Sequence, residues 1–198
     1  MSEEKTGIVF LKGLRISLRP VLRSDTALFL VWLNDQEVTQ YLRTFMPMSE
    51  AGEEEWVNNL HKRQPNHLVF TLVADKKPIG VMGLHRISFK DGTAATGAYI
   101  GDKEYWGKGY GSEAKMLLLN YAFNELNLRK ITSDVIAFNE RSYNYSIKCG
   151  YKEEARLKDQ IFTKGKYWDE VILSVFKKDW EPLWKEFVKK HNLELPTP

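Results

Sequence analysis

Glu104-Tyr-Trp-Gly-Lys-Gly-Tyr-Gly-Ser-Glu-Ala114 is the stretch on which the reading of this chain turns. Glycines alternate at positions 107, 109 and 111. Without a Cβ, this backbone can turn tightly and approach a ligand closely. Just beyond it, Ala114, Leu117, Leu118, Tyr121 and Ala122 recur at helical spacing, so a helix opens where the glycines end. The first turn of a helix leaves amides unpaired and favours an anion, and Lys108 adds a positive charge. The pattern suits a phosphate or diphosphate. The plainer alternative is a glycine-rich turn that only punctuates the fold. Two other phosphate loops do not fit. A P-loop needs Lys-Ser/Thr after its last glycine, whereas Ser112 and Glu113 follow Gly111. A dinucleotide fingerprint is G-x-G-x-x-G after the first strand of a βαβ unit; here the spacing is G-x-G-x-G, past mid-chain.

Upstream, residues 67–74, 79–88 and 94–100 read as three strands joined by the turns Asp75-Lys-Lys-Pro78 and Lys90-Asp-Gly-Thr93. Before them, residues 15–20 alternate polar and apolar and stop at Pro20. Ser24 is the expected cap of a helix with Asp25 in its first turn and Leu28, Phe29 and Trp32 along one side. A second helix follows Pro47, its N-terminal end loaded with Ser49, Glu50, Glu53, Glu54 and Glu55. Downstream come a strand over 130–138, a helix opened by Asn139 and stopped at Gly150, a hairpin of 153–162 and 167–176, and a closing helix over 179–190. The order β-α-α-β-β-β-α-β-α-β-β-α implies an α/β (α+β) fold with a mixed, mostly antiparallel sheet of about seven strands, flanked by helices, in one domain over 1–198.

Composition narrows the classes. Of 198 residues, 43% are hydrophobic and 13% aromatic, enough for a packed core and against disorder. The net charge is +3, with basic and acidic residues interspersed, and no basic stripe or tail of a nucleic-acid binder is present. Cys149 is the single cysteine, which excludes an intrachain disulfide and suits a reducing compartment. The start is acidic where a secretory leader is basic, and no run approaches the ~18 apolar residues of a membrane span. The expectation is a cytoplasmic protein with no membrane partner.

At this point the sequence resembles the GNAT superfamily of N-acetyltransferases. Trp106-Gly-Lys-Gly109-Tyr-Gly111 matches that family's Gln/Arg-x-x-Gly-x-Gly/Ala loop, with Trp106 at the Gln/Arg position. That departure resembles the branch holding ribosomal-protein alanine and polyamine acetyltransferases. Leu14-Arg-Ile-Ser-Leu-Arg-Pro20, Ile79-Gly-Val-Met-Gly-Leu-His85, Asn139-Glu-Arg-Ser142, Lys148-Cys-Gly-Tyr151 and Gly165-Lys-Tyr-Trp-Asp169 extend the likeness in the family's order.

The resemblance implies acetyl-coenzyme A as acyl donor. Amides from Trp106, Gly107, Lys108, Gly109, Tyr110, Gly111 and Ser112 would cradle its diphosphate. The backbone of Tyr99, Ile100 and Gly101 would pair with the pantetheine arm as an added strand. Asn139 and Ser142 would sit beside the cofactor, Asn139 also serving as a plain helix cap. Lys148 would reach the 3′-phosphate or stay a solvated surface lysine. No metal is expected.

Transfer to an amine needs a base, a polarised carbonyl and a proton for the leaving thiolate. A main-chain amide near Ile100 is the candidate oxyanion donor. Cys149 reads as a small core residue, not a nucleophile. Many family members carry a tyrosine as leaving-group acid where this chain has Ser146. The acid therefore stays open among Ser146, Tyr145, Ser142 with a water, and solvent. On helical geometry Tyr145 points about 100° away from Ser146, with Ser142 on the Ser146 face. His85 is the candidate base, against the plainer reading of a satisfied strand histidine; Asp134 is a weaker one. The acceptor would be a primary amine, on a protein N-terminus, a polyamine or another small molecule. A homodimer is left open. The alternative is a non-catalytic sensor or scaffold that binds coenzyme A on the same fold.

Overall fold

The computed structural model describes residues 8–193; the acidic start falls largely outside them. The strands are β1 (Leu11–Lys12), β2 (Ile16–Pro20), β3 (Leu68–Ala74), β4 (Lys77–Ser88), β5 (Thr93–Ile100), β6 (Lys130–Ile136), β7 (Lys152–Thr163) and β8 (Lys166–Phe176). The helices are α1 (Thr26–Leu33), α2 (Gln36–Thr39), α3 (Glu50–Asn59), α4 (Tyr110–Asn120), α5 (Glu140–Lys148) and α6 (Lys177–His191). All eight strands form one sheet in the order β1-β2-β3-β4-β5-β6-β8-β7. Each neighbouring pair is antiparallel except β5 with β6. The mixed sheet matches the expectation. The strand beyond the expected seven is β1, two residues paired to β2 and too short to leave an alternation.

Alternation along β4 sorts the two faces of the sheet. Met82 and Leu84 enter the larger core, with Leu118, Phe123 and Trp180. Val81 enters a smaller cluster with Phe29, Trp32 and Trp56, so α1 and α3 cover the opposite face. Helix α4 is buried on nearly every side, from Glu113 to Leu119, which is why its apolar stripe in the sequence is wider than an exposed helix needs.

Two expectations about helix starts are corrected. Asp25, not Ser24, organises the entry to α1. Its carboxylate accepts from the Leu22 amide at 2.9 Å, from both Arg19 nitrogens at 2.7 Å and from Thr71 Oγ1 at 2.9 Å. Burial works to raise the Asp25 pKa, but Arg19, the Leu22 amide and Thr71 outweigh it and hold the carboxyl below its ordinary range. Ser49 does cap α3, accepting from Gly52 at 3.1 Å. Glu53, however, is not a solvated charge at that helix end. It is 1% exposed, its Oε1 has no hydrogen-bond partner, and burial pushes its pKa up.

The feature that positions the site is a split in the sheet. β5 and β6 pair only over Thr93–Ala95 and Lys130–Thr132. Beyond that the strands run on to Ile100 and Ile136 without pairing to each other.

Candidate active site

A cavity of about 780 Å³ fills that split. Its walls are residues 96–100 of β5, residues 133–136 of β6, the glycine loop and one face of α5.

At one end, Gly109 caps α4 with φ 86° and Gly107 sits at φ 73°, a left-handed region that suits glycine. A Cβ on Gly107 would meet nothing within 4 Å; on Gly109 it would meet Arg15 Nη2 at 3.4 Å, and on Gly111 Ile100 Cδ1 at 3.7 Å. Gly107, Gly109, Gly111, Trp106, Tyr110 and Ser112 all line the cavity. The loop is therefore open beside its main chain, at the N-terminus of a buried helix, and its shape fits a diphosphate. Lys108 does not line the cavity; its carbonyl accepts from Arg15 Nη1 at 3.1 Å. Trp106 Nε1 donates to the Ile100 carbonyl at 2.7 Å and ties the loop to the end of β5. Tyr99 and Ile100 line the cavity, but Gly101 does not. The Gly101 amide donates to the Ile79 carbonyl at 2.9 Å, and a Cβ there would collide with Trp32.

Arg15 and Glu113 hold this end in place, and the sequence reading missed both. Glu113 Oε1 accepts from the Leu14 and Arg15 amides at 2.7 and 2.8 Å, and Oε2 from Arg15 Nε at 3.1 Å. The Arg15 guanidinium lies 4.7 Å from the Tyr110 ring centroid. A carboxylate in the first turn of a buried helix was the available signal; its partner 98 residues away leaves no local mark.

The α5 wall follows its own period. Asn139 caps the helix, accepting from the Ser142 amide at 3.1 Å, and Gly150 ends it at φ 92°. Asn139, Ser142, Tyr145 and Lys148 line the cavity at intervals of three. Ser146 does not: it is fully buried and accepts from Lys115 Nζ at 3.1 Å. The facing expected for Ser146 and Tyr145 is thus reversed, and Ser142 shares the cavity face with Tyr145. Arg141 lies 4.3 Å from the Trp106 ring centroid and 4.8 Å from that of Tyr41, spanning from the glycine loop to the end of α2.

At the other end, His85 lies over Gly83 and Gly97, which face each other in register. A Cβ on either glycine would come within 3.1–3.3 Å of the imidazole. The glycines make room for the ring, which lines the cavity. Burial first, then the charges of His67, Arg86 and Arg63, hold the His85 pKa below its ordinary 6.5. Arg86 follows at φ 52°, where the β4–β5 register shifts. Its Nη2 donates to Asp134 Oδ2 at 3.1 Å, so Asp134 is spoken for by a guanidinium. Arg43 pairs with the buried Glu170. His61 and His191 lie away from this site, outside the cavity lining. Cys149 is 1% exposed and its thiol is pushed up to about 11 by burial, which leaves it neither reachable nor ionised as a nucleophile. Among the described residues no group of three or more His, Cys, Asp or Glu could hold a metal ion, and no helix is long and apolar enough to cross a membrane.

A family model described as an acetyltransferase (GNAT) domain matches residues 15–152. The chain belongs to this family, and it is an N-acetyltransferase that takes its acetyl group from acetyl-coenzyme A. Its relatives include the N-acetyltransferase p20 of Bacillus licheniformis, 29% identical over 170 residues that cover 84% of this chain and 95% of that protein. The spermidine N(1)-acetyltransferase of Escherichia coli strain K12 is 25% identical over 166 residues, covering 81% and 86%. The crystal structure of spermidine N-acetyltransferase from Vibrio cholerae, in complex with CoA and spermine, superimposes with a TM-score of 0.79 at 24% identity, covering 85% of this chain and 99% of that one. At that identity the likeness speaks for the fold.

Proposed function

We propose that this acetyltransferase acylates a primary amine by direct attack within a ternary complex. The observation that carries the reading is a single cavity reaching from an open glycine loop to a half-buried histidine through the split between β5 and β6. A substrate entering from each end would meet the other inside the sheet. Bound acetyl-coenzyme A supplies a thioester carbonyl and a thiolate leaving group.

The chain's residues then divide the work. The amides of 107–111 and the start of α4 hold the diphosphate. Asn139, Ser142 and Lys148 flank it, with Lys148 toward the 3′-phosphate. A main-chain amide near Ile100 serves as oxyanion donor. His85 takes the ammonium proton of the acceptor: held below the ordinary histidine range, it is neutral at neutral pH and ready to accept one. Ser142 and Tyr145 are the hydroxyls on the cavity wall from which, or through water, the thiolate regains a proton. With Cys149 out of reach, direct attack requires no acyl-enzyme.

The acceptor is a small amine or a protein N-terminus; relatives named for spermidine support the small amine. The buried lone thiol fits the cytoplasm. Thiol release from acetyl-coenzyme A is measured with spermidine, simple primary amines, amino acids and short peptides. Amine-dependent release with at least one class is expected; release that no amine accelerates contradicts the proposal.

A further inference from the structure

Lys115 is a charge without a counter-ion. It lies on α4 between Ala114 and Met116, is 1% exposed, and sits among the fully buried side chains of the core. A lysine normally lays its methylenes along apolar surface and keeps its ammonium in water; this one turns inward. Its Nζ donates to Ser146 Oγ at 3.1 Å and lies 4.3 Å from the Tyr145 ring centroid and 4.6 Å from that of Tyr151. Among the described residues no carboxylate pairs with it. Burying an ammonium is costly, but the surroundings, Tyr145 foremost, outweigh that cost and hold the Lys115 pKa above its ordinary value.

The placement gives that cost a use. Tyr145 is itself part of the cavity wall. On the other side, Tyr151 OH and Thr96 Oγ1 lie 3.1 Å apart, and Thr96 also lines the cavity. The cation thus stands directly behind the wall residue Tyr145, and reaches the wall a second way through Tyr151 to Thr96. The titratable groups facing it are Tyr145 from α5, Cys149 at the end of that helix, and Tyr151. Burial pushes Cys149 up to about 11 and Tyr151 up to about 12, so neither supplies a compensating negative charge at neutral pH.

We propose that Lys115 is a positioning cation whose field, reaching the cavity through Tyr145, stabilises the thiolate that departs during acetyl transfer. This rests on the acetyltransferase reading of the cavity. In the step, the amine nitrogen forms a bond to the acetyl carbon and the carbon–sulfur bond breaks. The ammonium proton goes to His85 before attack, the electron pair of the broken bond goes to sulfur, and the second proton, lost from nitrogen once it is bonded to the acetyl carbon, passes through the wall hydroxyls or water to the sulfur. Lys115 keeps its protons throughout. In a poorly screened interior a fixed cation counts for more than in water.

Lys115→Met keeps the length and removes the charge; Lys115→Gln does so with a group that can still meet Ser146. Thermal unfolding of each is compared with the parent, and a neutral side chain at this site is expected to leave Tm unchanged or higher. The affinity for acetyl-coenzyme A by calorimetry should stay within about twofold while kcat falls about tenfold, a split that loss of packing would not produce. Independently of turnover, the thiol of bound coenzyme A is titrated by thiolate absorbance. It should ionise about one pH unit higher in either variant than in the parent, the counterpart of that tenfold. Equal ionisation and equal kcat in a folded variant overturn the proposal. If the parent itself neither binds coenzyme A nor releases thiol, it is the acetyltransferase reading that fails.

Discussion

The glycine-loop end of the cavity presents mostly main chain, braced by the Arg15–Glu113 pair, whereas the His85 end presents side-chain pairs. At the first, three glycines leave open space beside the main chain at a helix start that no side chain caps among the described residues. At the second, Arg86 with Asp134, Arg43 with Glu170, and His85 over two glycines are brought together from four strands and the loop after α2. A main-chain site depends on φ and on the absence of a Cβ, so a single added side chain should abolish it. A side-chain site depends on charges that neutralise one another, so removing one partner should change its chemistry or stability by degrees.

The largest effect is expected at the glycine loop. Gly109→Glu forces a side chain onto φ 86° and sets a carboxylate against the diphosphate. At about 4 kcal/mol for like charges a few ångströms apart near a surface, the affinity for acetyl-coenzyme A should fall about a thousandfold by calorimetry. Unchanged affinity would mean that the loop is not the cradle.

On the face that carries α1, Asp25→Ala strands the buried Arg19. It should cost about 3 kcal/mol in thermal or denaturant unfolding, with binding of acetyl-coenzyme A to the folded protein unaltered. The Asp25 pKa is depressed in the fold, so its contribution is present above the ordinary 3.8 and is lost as pH falls through the lower folded value. Acid unfolding of the parent should therefore carry a component below 3.8 that Asp25→Ala lacks.

His85→Ala should lower kcat/KM about a hundredfold. In the parent, activity needs the neutral imidazole, so it should be full at neutral pH and fall away in acid, with a midpoint below 6.5 because the folded value is lowered. The variant should lose that limb. The smallest effect sharpens the contrast most. Arg86→Met removes one of the cations that depress His85, so the acid limb should move upward by a few tenths of a pH unit. The affinity for acetyl-coenzyme A, set at the main-chain end, should not change.

The same division explains what could be read from the chain. The loop, the helix it opens, the Asn139 cap and the hairpins are local patterns, and each leaves its spacing in the sequence. The sheet followed from their order. Asp25 and Glu53 both read as charges that balance a helix dipole, because burial and an arginine six residues away do not register in a helix-start pattern. Helix α2, at four residues, is too short to show a period. Ser146 and Tyr145 were exchanged because helical spacing gives relative directions but not which direction meets the cavity. Lys115 was hidden for the opposite reason: a lysine on a helix reads as solvated, and only the packed fold shows that α4 has no solvent side there.

A crystal structure with coenzyme A bound decides where the diphosphate lies. It should rest within hydrogen-bond distance of the amides of residues 107–111, with the thiol reaching into the split between β5 and β6 beside Tyr145. A diphosphate seated elsewhere, with those amides facing only solvent, would contradict the assignment of this cavity and every residue role built on it.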